Sequence, residues 1–307
     1  MSESDFRRLL SEAVGRIDFL QGADTSNAVR LGGLTNINYR VDHKGESFVV
    51  RIPGAKTGEY INRQDEEFAA LSAAAAGVNT EVVFFAVDGL MVTRFAVNST
   101  TMNPSRFKDH GAVARAGRLI RQLHQNAEPF KTDFKLFPVI DDYKSNLERK
   151  GSPMPARYQE AGPLVAATRE ALSSVVVPLV PSHCDPLCEN FLDTGDKMFL
   201  IDFEYAGNAD PMWDLGDLSV EGGFDFEQDQ TLLESYFGGA PNAADVGRMV
   251  AYKAMCDVLW SLWGKVQDVD GNQVEDFARY ADNRLSRALN LMQDSAYKSH
   301  LAAINAV

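Results

Sequence analysis

Hydrophobic positions change their period along the chain. The first segment repeats them at helical spacing, which predicts an amphipathic helix. Alternating patterns then predict strands over 28–31, 37–41 and 48–52, with a turn at 43–46 between the last two. The apolar positions of the first helix are Phe6, Leu9, Leu10, Ala13, Val14 and Ile17.

The pattern then moves from strands to helices. A segment at 61–76, rich in Ala and Glu, predicts a helix with Gly77 as its stop. Strands at 82–86 and 90–96 flank a Val-Asp-Gly turn and predict a hairpin. From Pro104 onward the pattern is mostly helical.

Two stretches of the helical part depart from the regular helical pattern. Residues 130–155 carry several prolines, glycines and charges around a short helix at 143–149, so we predict a surface insertion there. Further on, Asp268, Asp270 and Asn272 imitate the start of an EF-hand. The glycine comes at the fourth position rather than the sixth and the bidentate Glu is missing, so we predict a turn between two helices.

Composition and charge narrow the classes of partner. The chain has 307 residues, of which 45% are hydrophobic, enough to bury a substantial core. Its formal charge of -13 argues against nucleic acid or an anionic membrane surface as a partner, because both demand clustered Lys and Arg. A small cationic substrate is compatible with this charge.

Cysteine usage and the N-terminal sequence indicate a compartment. Three cysteines without a C-x-x-C pair predict no disulfide framework and a reducing environment. His183, Cys184 and Cys188 lie close together, but they lack the paired spacing of a zinc site. The first twenty residues contain acids and no apolar core of a signal peptide, and no run reaches the length of a membrane span. We therefore expect a cytoplasmic location.

The densest set of acids, amides and aromatic residues lies at 182–221. Within it, His183, Asp185 and Asn190 form the spacing H-x-D-x-x-x-x-N. Asp202 comes twelve residues after Asn190, at the end of a short apolar run. The arrangement suits phosphoryl transfer, in which a protein positions a nucleophilic hydroxyl and neutralises phosphate charge through metal ions. Asp185 would accept the hydroxyl hydrogen bond, and Asn190 and Asp202 would hold Mg²⁺ with hard oxygen ligands.

A pair of tryptophans lies in a long helical run at 243–267. Trp260, Trp263 and Gln267 share one face of this helix, beside a neighbouring apolar face that would be buried. Two indoles one turn apart could wall a cage for a quaternary ammonium, because their faces attract cations and require no hydrogen bond from a trimethylated nitrogen. The alternative is that both are large core residues.

Four motifs, GGLTNINY, HCDPLCEN, IDFEYAGN and LWSLWGKVQ, span most of the chain. Together they resemble the choline and ethanolamine kinases, within the broader aminoglycoside phosphotransferase and protein-kinase-like group. The resemblance implies an α+β, two-lobed protein-kinase-like fold, with a nucleotide-binding lobe of sheet plus helix at 1–96. A larger, mainly helical lobe at 97–307 would carry catalysis and substrate binding. ATP and Mg²⁺ would lie between the lobes.

The resemblance also implies a set of nucleotide-binding residues. Arg51 stands where the third strand of a protein-kinase-like fold carries a phosphate-binding basic residue. Its expected acidic partner is Glu66, with the adjacent Glu67 as the alternative. Thr93 and Phe95 would lie beside the adenine. The turn between the first two strands, which alone would be only a hairpin turn, would approach the phosphates with Gly33, Thr35, Asn36 and Asn38.

Acids and aromatic side chains are implied to form an amine pocket. Either Phe224 or Phe226 would add a further wall to it. Asp214 is expected to brace the catalytic loop by accepting hydrogen bonds, and His183 is expected to support that loop rather than transfer protons. The residues implied to contact the amine are Glu204, Tyr205, Glu221, Trp260, Trp263 and Tyr280.

The implied reaction is transfer of the γ-phosphoryl group of ATP to the hydroxyl of choline. Ethanolamine is the nearest rival, since its ammonium fits the same acids, and thiamine or an aminoglycoside is more remote. Leu187 and Asp217 depart from residues of some relatives, which leaves the fine substrate preference open. The alternative of another class is an inactive binding module, but the loss of Asp185, Asn190 or Asp202 that it would show is absent.

Overall fold

The computed structural model describes residues 3–33, 36–54 and 61–306. A small antiparallel sheet with helices comes first and a mainly helical region follows, which confirms the α+β prediction. The chain begins with helix α1 (Glu3–Gly15). The apolar stripe predicted for this helix is buried against the sheet through Leu10, Ala13, Val14 and Ile17.

Five antiparallel strands form the sheet of the first part. They are β1 (Val29–Arg30), β2 (Ile37–His43), β3 (Glu46–Ile52), β4 (Val82–Phe85) and β5 (Met91–Arg94). Their order is β1-β2-β3-β5-β4, so β5 pairs on both sides. Successive side chains of a strand point to opposite faces. Val50 therefore packs on the α1 side, while the neighbouring Arg51 is buried on the other side.

Helix α2 (Arg63–Ala75) covers the second face of the sheet. The side chain of Asn62 accepts hydrogen bonds from the first turn and so caps the helix. Gly77 follows the last turn with a φ of +74°, a conformation that favours glycine, as predicted for the stop. Met91 packs in the cluster that contains α2, and Val92 packs in the cluster that contains α1, so the two helices lie on opposite faces.

Helices dominate the rest of the chain. They are α3 (His110–Asn126), α4 (Leu136–Arg149), α5 (Tyr158–Ser173), α6 (Met212–Gly222), α7 (Phe226–Phe237), α8 (Ala243–Val269), α9 (Phe277–Gln293) and α10 (Tyr297–Ile304). Short strands accompany them: β6 (Thr100–Thr101), β7 (Val180–Ser182), β8 (Phe191–Asp193), β9 (Met198–Leu200) and β10 (Gly207–Ala209). β8 pairs with β6 and β9, and β7 pairs with β10. Within the described ranges, no helix combines the length and apolarity needed to cross a bilayer.

The predicted surface insertion at 130–155 is wrong. This region contains helix α4, which buries Leu136, Ile140 and Leu147 against α8 and the large helical core. The three residues recur at helical spacing, but Pro138 obscured the pattern. A proline in the first turn of a helix removes no intrahelical hydrogen bond, so the helix forms around it.

The turn that resembles an EF-hand joins α8 to α9, as predicted. Asp268 binds Lys265 at 2.8 Å, Asp270 binds Lys150, and the side-chain amide of Asn272 donates to Gln267 at 3.0 Å. The polar side chains thus satisfy local partners in a helix-helix turn.

Candidate active site

The three predicted catalytic residues meet around one loop. Asp185 lies between β7 and β8, and Asn190 ends the short 3-10 turn before β8. The side-chain nitrogen of Asn190 donates to the carbonyl oxygen of Asp185 at 3.2 Å. The amide of Ile201 donates to the carbonyl oxygen of Asn190 at 3.0 Å, which holds the adjacent Asp202 beside the loop.

Asp214, in the first turn of α6, braces this loop as predicted. Its carboxylate accepts hydrogen bonds from the amides of His183 at 2.7 Å and Cys184 at 2.9 Å. It also bonds to the ring nitrogen Nε2 of His124 at 3.1 Å. Burial alone would raise the pKa of Asp214, but the hydrogen bonds, led by that of His124, hold it below its usual range. The carboxylate is therefore a charged acceptor for the loop backbone.

His183 is a structural residue of the loop, in agreement with its expected role. Its Nε2 lies 2.9 Å from the carbonyl oxygen of Ile201, and its ring packs on Phe203. Burial lowers the pKa of His183, so the imidazole is neutral near neutral pH. Cys184 and Asp202, which flank the site, adopt φ angles of +66° and +72°, a conformation that costs energy for residues other than glycine.

We predict that acid pH destabilises the protein partly through His183. Because the pKa of His183 is lowered by folding, the unfolded chain binds the proton first. Its contribution to stability is complete above the unfolded pKa of about 6.5 and declines as the pH falls below it, by up to about 1.4 kcal/mol per pH unit. Urea unfolding between about pH 5 and 8 should therefore show a shallower pH dependence for His183→Gln than for the wild type. Exposed His110 provides the control His110→Gln, and identical slopes for wild type and His183→Gln would contradict the prediction.

A buried ion-pair network joins the sheet to the catalytic loop. Arg51 pairs with Glu66 rather than with Glu67, which resolves the alternative in favour of Glu66. Arg63 pairs with the other oxygen of Glu66 at 2.6 Å. Arg51 also reaches Asp202 across the cleft, with 3.3 Å between Nη1 and Oδ1. The guanidinium of Arg51 is thereby held beside a candidate metal ligand.

Glu204 lies on the same side of the site. Oxygen atoms of Glu66, Asp202 and Glu204 all lie within 4.8 Å of one another. Such a set of carboxylate oxygens fits the hard ligands that Mg²⁺ prefers. Burial and the charge of Asp202 raise the pKa of Glu204 to about 7. Although the sequence predicted Glu204 in the amine pocket, the structure brings it next to Asp202.

The predicted phosphate loop is anchored at both ends. Gly33 has a φ of +146°, and a Cβ there would lie 2.6 Å from the carbonyl oxygen of Asn36, so the turn requires glycine. The side-chain nitrogen of Asn38 donates to the carbonyl oxygen of Gly32 at 2.8 Å, and that of Asn36 donates to Glu204 at 3.1 Å. Thr35 lies outside the described residues. The loop thus contacts the acids of the cleft directly.

Thr93 and Phe95, expected beside the adenine, lie at the end of β5. Thr93 stands opposite Val49 on one side and Val82 on the other. The amide of Phe95 donates to the carbonyl oxygen of Ser47 at 3.0 Å. A base that used the Phe95 amide would therefore have to replace a bond of the sheet.

Aromatic side chains of α8 and α9 form one cluster. The rings of Trp260 and Trp263 are 5.8 Å apart and nearly perpendicular, and Tyr280 lies 5.9 Å from Trp263. Both tryptophans are half-buried, in agreement with their predicted offset from the core stripe. A Cβ at position 264 would lie 2.6 Å from the Tyr280 ring, so Gly264 permits this contact. The sequence reading missed Phe277, which lies 5.4 Å from Trp263 and precedes Tyr280 by one helical turn.

Glu221 is bound by an arginine that the sequence reading also missed. Both of its oxygens accept hydrogen bonds from Arg284, one of them at 2.9 Å. Arg284 also donates to Asp257 at 3.1 Å, and its guanidinium carbon lies 5.0 Å from the centre of the Tyr280 ring. Residues four apart share a helix face, so the position of Arg284 relative to Tyr280 was the available signal.

The acids of the site affect one another. Burial raises the pKa of Asp185, and the charges of Glu221, Asp202 and Glu204 raise it further, while Arg284 opposes them. Asp185 thus lies within electrostatic range of both the metal-side acids and the Glu221–Arg284 pair. This proximity connects the catalytic loop to the aromatic cluster.

The other candidates for the amine pocket take different positions. Phe224 is buried and packs 5.5 Å from Phe107, while Phe226 is 80% exposed. Tyr205 is half-buried in the turn between β9 and β10, next to Glu204. The structure therefore brings together Trp260, Trp263 and Tyr280, with Glu221 beside Tyr280 through Arg284.

The chain is similar to known proteins in sequence and in fold. A family model described as choline/ethanolamine kinase matches residues 29–235, a range that includes the catalytic loop, Asp202 and Asp214. Protein LicA of Haemophilus influenzae is 31% identical over 273 residues, which cover 86% of this chain and 79% of LicA.

Solved structures are similar over nearly the whole chain. A choline/ethanolamine kinase family protein from Mesorhizobium loti is 44% identical, with a TM-score of 0.91 and coverage of 97% of this chain and 99% of that one. Choline kinase LicA from Streptococcus pneumoniae is 25% identical, with a TM-score of 0.76 and coverage of 93% and 98%. A LicA structure in complex with AMP is 26% identical, with a TM-score of 0.70 and coverage of 89% and 91%. This chain is thus a kinase that belongs to the choline/ethanolamine kinase family.

Proposed function

We propose that this kinase transfers the γ-phosphoryl group of ATP to the hydroxyl of choline. The supporting observation is the set of contacts that joins Glu221 to Arg284 and Arg284 to the Tyr280 ring, together with the effect of the Glu221 charge on Asp185. Glu221 lies within electrostatic range of Asp185 and is bonded to Arg284, which lies over the Tyr280 ring. An amino alcohol whose ammonium contacts the rings could therefore present its hydroxyl to Asp185.

Asp185 has the principal role in the proposed reaction. Its carboxylate would accept the hydrogen of the choline hydroxyl and orient the oxygen for attack on the γ-phosphorus. Its raised pKa makes it a stronger base than an exposed aspartate. A bound ammonium would lower that pKa again, because an opposite charge favours the carboxylate. Asn190 would fix the loop through its hydrogen bond to the Asp185 carbonyl.

The phosphate side uses the ion-pair network. Arg51, held by Glu66, would bind phosphate oxygens, since a guanidinium pairs well with phosphate and carboxylate. Asn190 and Asp202, joined by Glu204, would hold Mg²⁺, which when bound neutralises charge on the transferring phosphoryl group. The remaining proposed nucleotide contacts are Gly33, Thr35, Asn36, Asn38, Thr93 and Phe95.

Choline is preferred in this proposal because of the rings. Indole and phenol faces attract a cation without supplying a strong hydrogen-bond acceptor, which suits a trimethylated nitrogen. Ethanolamine is the second candidate, favoured by the buried acid Asp217. Burial and the charges of Glu221 and Asp185 raise the pKa of Asp217, so a cationic ligand would relieve this repulsion.

An ADP-release assay tests the proposal directly. The purified protein, with ATP and Mg²⁺, is given choline, ethanolamine, thiamine or an aminoglycoside, and kcat/KM is measured for each. We expect choline to have the highest value. A higher value for any of the other three would replace choline as the substrate, and no ADP release with any of them would overturn the proposed class.

We predict that Trp260→Ala and Trp263→Ala weaken choline use selectively. Each removes a ring contact worth roughly 0.5 to 2 kcal/mol, so the KM for choline should rise by about 2- to 30-fold. The KM for ATP serves as the internal control, because the proposed nucleotide site is separate from these rings. Equal increases in both KM values would contradict a cage role and indicate a general packing defect.

We also propose a function for each lobe and a cellular location. Residues 1–96 would form the nucleotide-binding lobe and residues 97–307 the catalytic and substrate-binding lobe. A cytoplasmic location would supply ATP and Mg²⁺ and agrees with the three free, buried cysteines Cys184, Cys188 and Cys256.

A further inference from the structure

We propose that Arg284 determines the amine specificity of this kinase by occupying Glu221, so that the pocket selects a methylated ammonium over a primary one. The inference rests on the proposed function, because it concerns the same amine site. It assigns to Glu221 an indirect role, exerted through Arg284, in place of direct contact with substrate.

The first support is the hydrogen bonding of Glu221. Arg284 donates to both carboxylate oxygens, and the two side chains are only 11% and 12% exposed. A bidentate guanidinium–carboxylate pair of this kind is among the strongest charge-assisted hydrogen bonds in proteins. Arg284 thus neutralises the Glu221 carboxylate and uses one lone pair on each oxygen, so a substrate ammonium gains less from it than from an unpaired carboxylate.

The second support is the position of the guanidinium relative to the rings. Its central carbon lies 5.0 Å from the centre of the Tyr280 ring, within the distance at which a cation is attracted by an aromatic face. Arg284 thus occupies both groups that would serve a primary ammonium best, the Glu221 carboxylate and the adjacent phenol. The indoles of Trp260 and Trp263 remain for the substrate.

The third support is the way in which Arg284 is held. Asp257 is almost fully buried and accepts from Arg284 at 3.1 Å. It also accepts two hydrogen bonds from Arg287, both at 2.6 Å. Two acids and two guanidiniums therefore form one hydrogen-bonded group on α6, α8 and α9. When Arg284 is removed, Arg287 still neutralises the charge of Asp257 through its two hydrogen bonds. Glu221 is then the carboxylate that loses its arginine.

The chemical difference between the two amines gives the direction of the effect. A primary ammonium carries three N–H donors and gains charge-assisted hydrogen bonds from a free carboxylate, whereas a trimethylated nitrogen has no such donor. Freeing Glu221 should therefore improve ethanolamine use far more than choline use. A lysine at position 284 would keep the charge but lose the bidentate geometry, so its effect should be intermediate.

The test measures the ratio of kcat/KM for choline to kcat/KM for ethanolamine in the full-length protein. We expect Arg284→Met to shift this ratio toward ethanolamine by tenfold or more. Adding Glu221→Gln to Arg284→Met removes the freed charge and should return the ratio to within threefold of the wild type. Arg287→Met removes an arginine from the same helix but leaves the Glu221 pair, and should change the ratio by less than twofold.

Folding of the variants is checked by circular dichroism. A cavity of about 310 Å³ borders Tyr280 and Arg284, so water can reach the region when the guanidinium is removed. If Arg284→Met does not fold, Arg284→Lys carries the test, with an expected shift of about threefold toward ethanolamine. An unchanged ratio in a folded Arg284 variant would overturn the inference, as would a double variant that stays shifted as far as the single one.

The wild-type measurement separates this inference from the proposed function. If the wild type uses ethanolamine better than choline, the choline proposal fails. The role of Arg284 is still tested, because that test measures how far the choline-to-ethanolamine ratio of kcat/KM changes between the wild type and the variant.

Discussion

Turnover should fall by about 10²- to 10⁴-fold in Asp185→Asn, while ATP still binds. The amide has nearly the same shape as the carboxylate but cannot accept the hydroxyl proton. Asp185 also stands among the charges of Glu221, Asp202 and Glu204, and its pKa is raised by burial and by these charges. When folding raises the pKa of an acid, the folded protein loses stability as the pH rises from the unfolded pKa through the folded pKa. The neutral amide should therefore make the protein more stable than the wild type at neutral pH.

Two measurements on Asp185→Asn check this expectation. The ADP-release assay gives kcat, and calorimetric titration gives the affinity for ATP. Urea unfolding at about pH 7.5 should show a higher midpoint than the wild type. Asp196→Asn, in the exposed turn between β8 and β9, is the matched control and should change neither property. A kcat within tenfold of the wild type would remove Asp185 from the role of positioning base.

Asp214→Ala should lower the free energy of unfolding by about 3 to 5 kcal/mol and abolish turnover with it. The substitution leaves the buried amides of His183 and Cys184 without an acceptor and the Nε2 atom of His124 without its partner. Each unsatisfied buried donor costs about 1 to 3 kcal/mol. The loop that carries Asp185 would then lose the contact that fixes its backbone.

Urea unfolding of Asp214→Ala provides the measurement. Asp282→Ala, at an exposed position of α9, is the control and should stay within about 0.5 kcal/mol of the wild type. Asp214→Asn keeps one acceptor oxygen, so its loss of stability should lie between the losses of Asp214→Ala and Asp282→Ala. A loss below about 1 kcal/mol in Asp214→Ala would show that water or a neighbouring group replaces the carboxylate.

Local patterns in the sequence predicted a large share of the fold and of the loop. The strands β2 and β3, helices α2 and α8, and the brace at Asp214 follow from short-range periodicity and from motif spacing. The second half of helix α4 was predicted as a short helix at 143–149, whereas its first half was missed because Pro138 obscured the regular spacing of the apolar residues. The burial of this helix depends on α8, which begins only at Ala243, far along the chain from the end of α4 at Arg149.

The resemblance predicted the Arg51–Glu66 ion pair, but the Glu221–Arg284 pair was missed. Glu221 and Arg284 are 63 residues apart, and only the packing of α6, α8 and α9 brings them together. The resemblance likewise implied that Glu204 faces the amine, because a matched motif does not show which way the turn after β9 directs a side chain. Which charged side chains pair in the folded interior depends on how several helices and strands pack together.

The bonds of Asp214 also set the earliest time at which the loop of Asp185 can be braced during synthesis of the chain. His183 precedes Asp214 by 31 residues, and His124 precedes it by 90. At about 5 to 20 residues per second, the ribosome makes the loop of Asp185 roughly 2 to 6 seconds before the carboxylate that organises it. A nascent chain that stops short of α6 would therefore present Asp185 on a loop whose backbone amides lack their carboxylate acceptor.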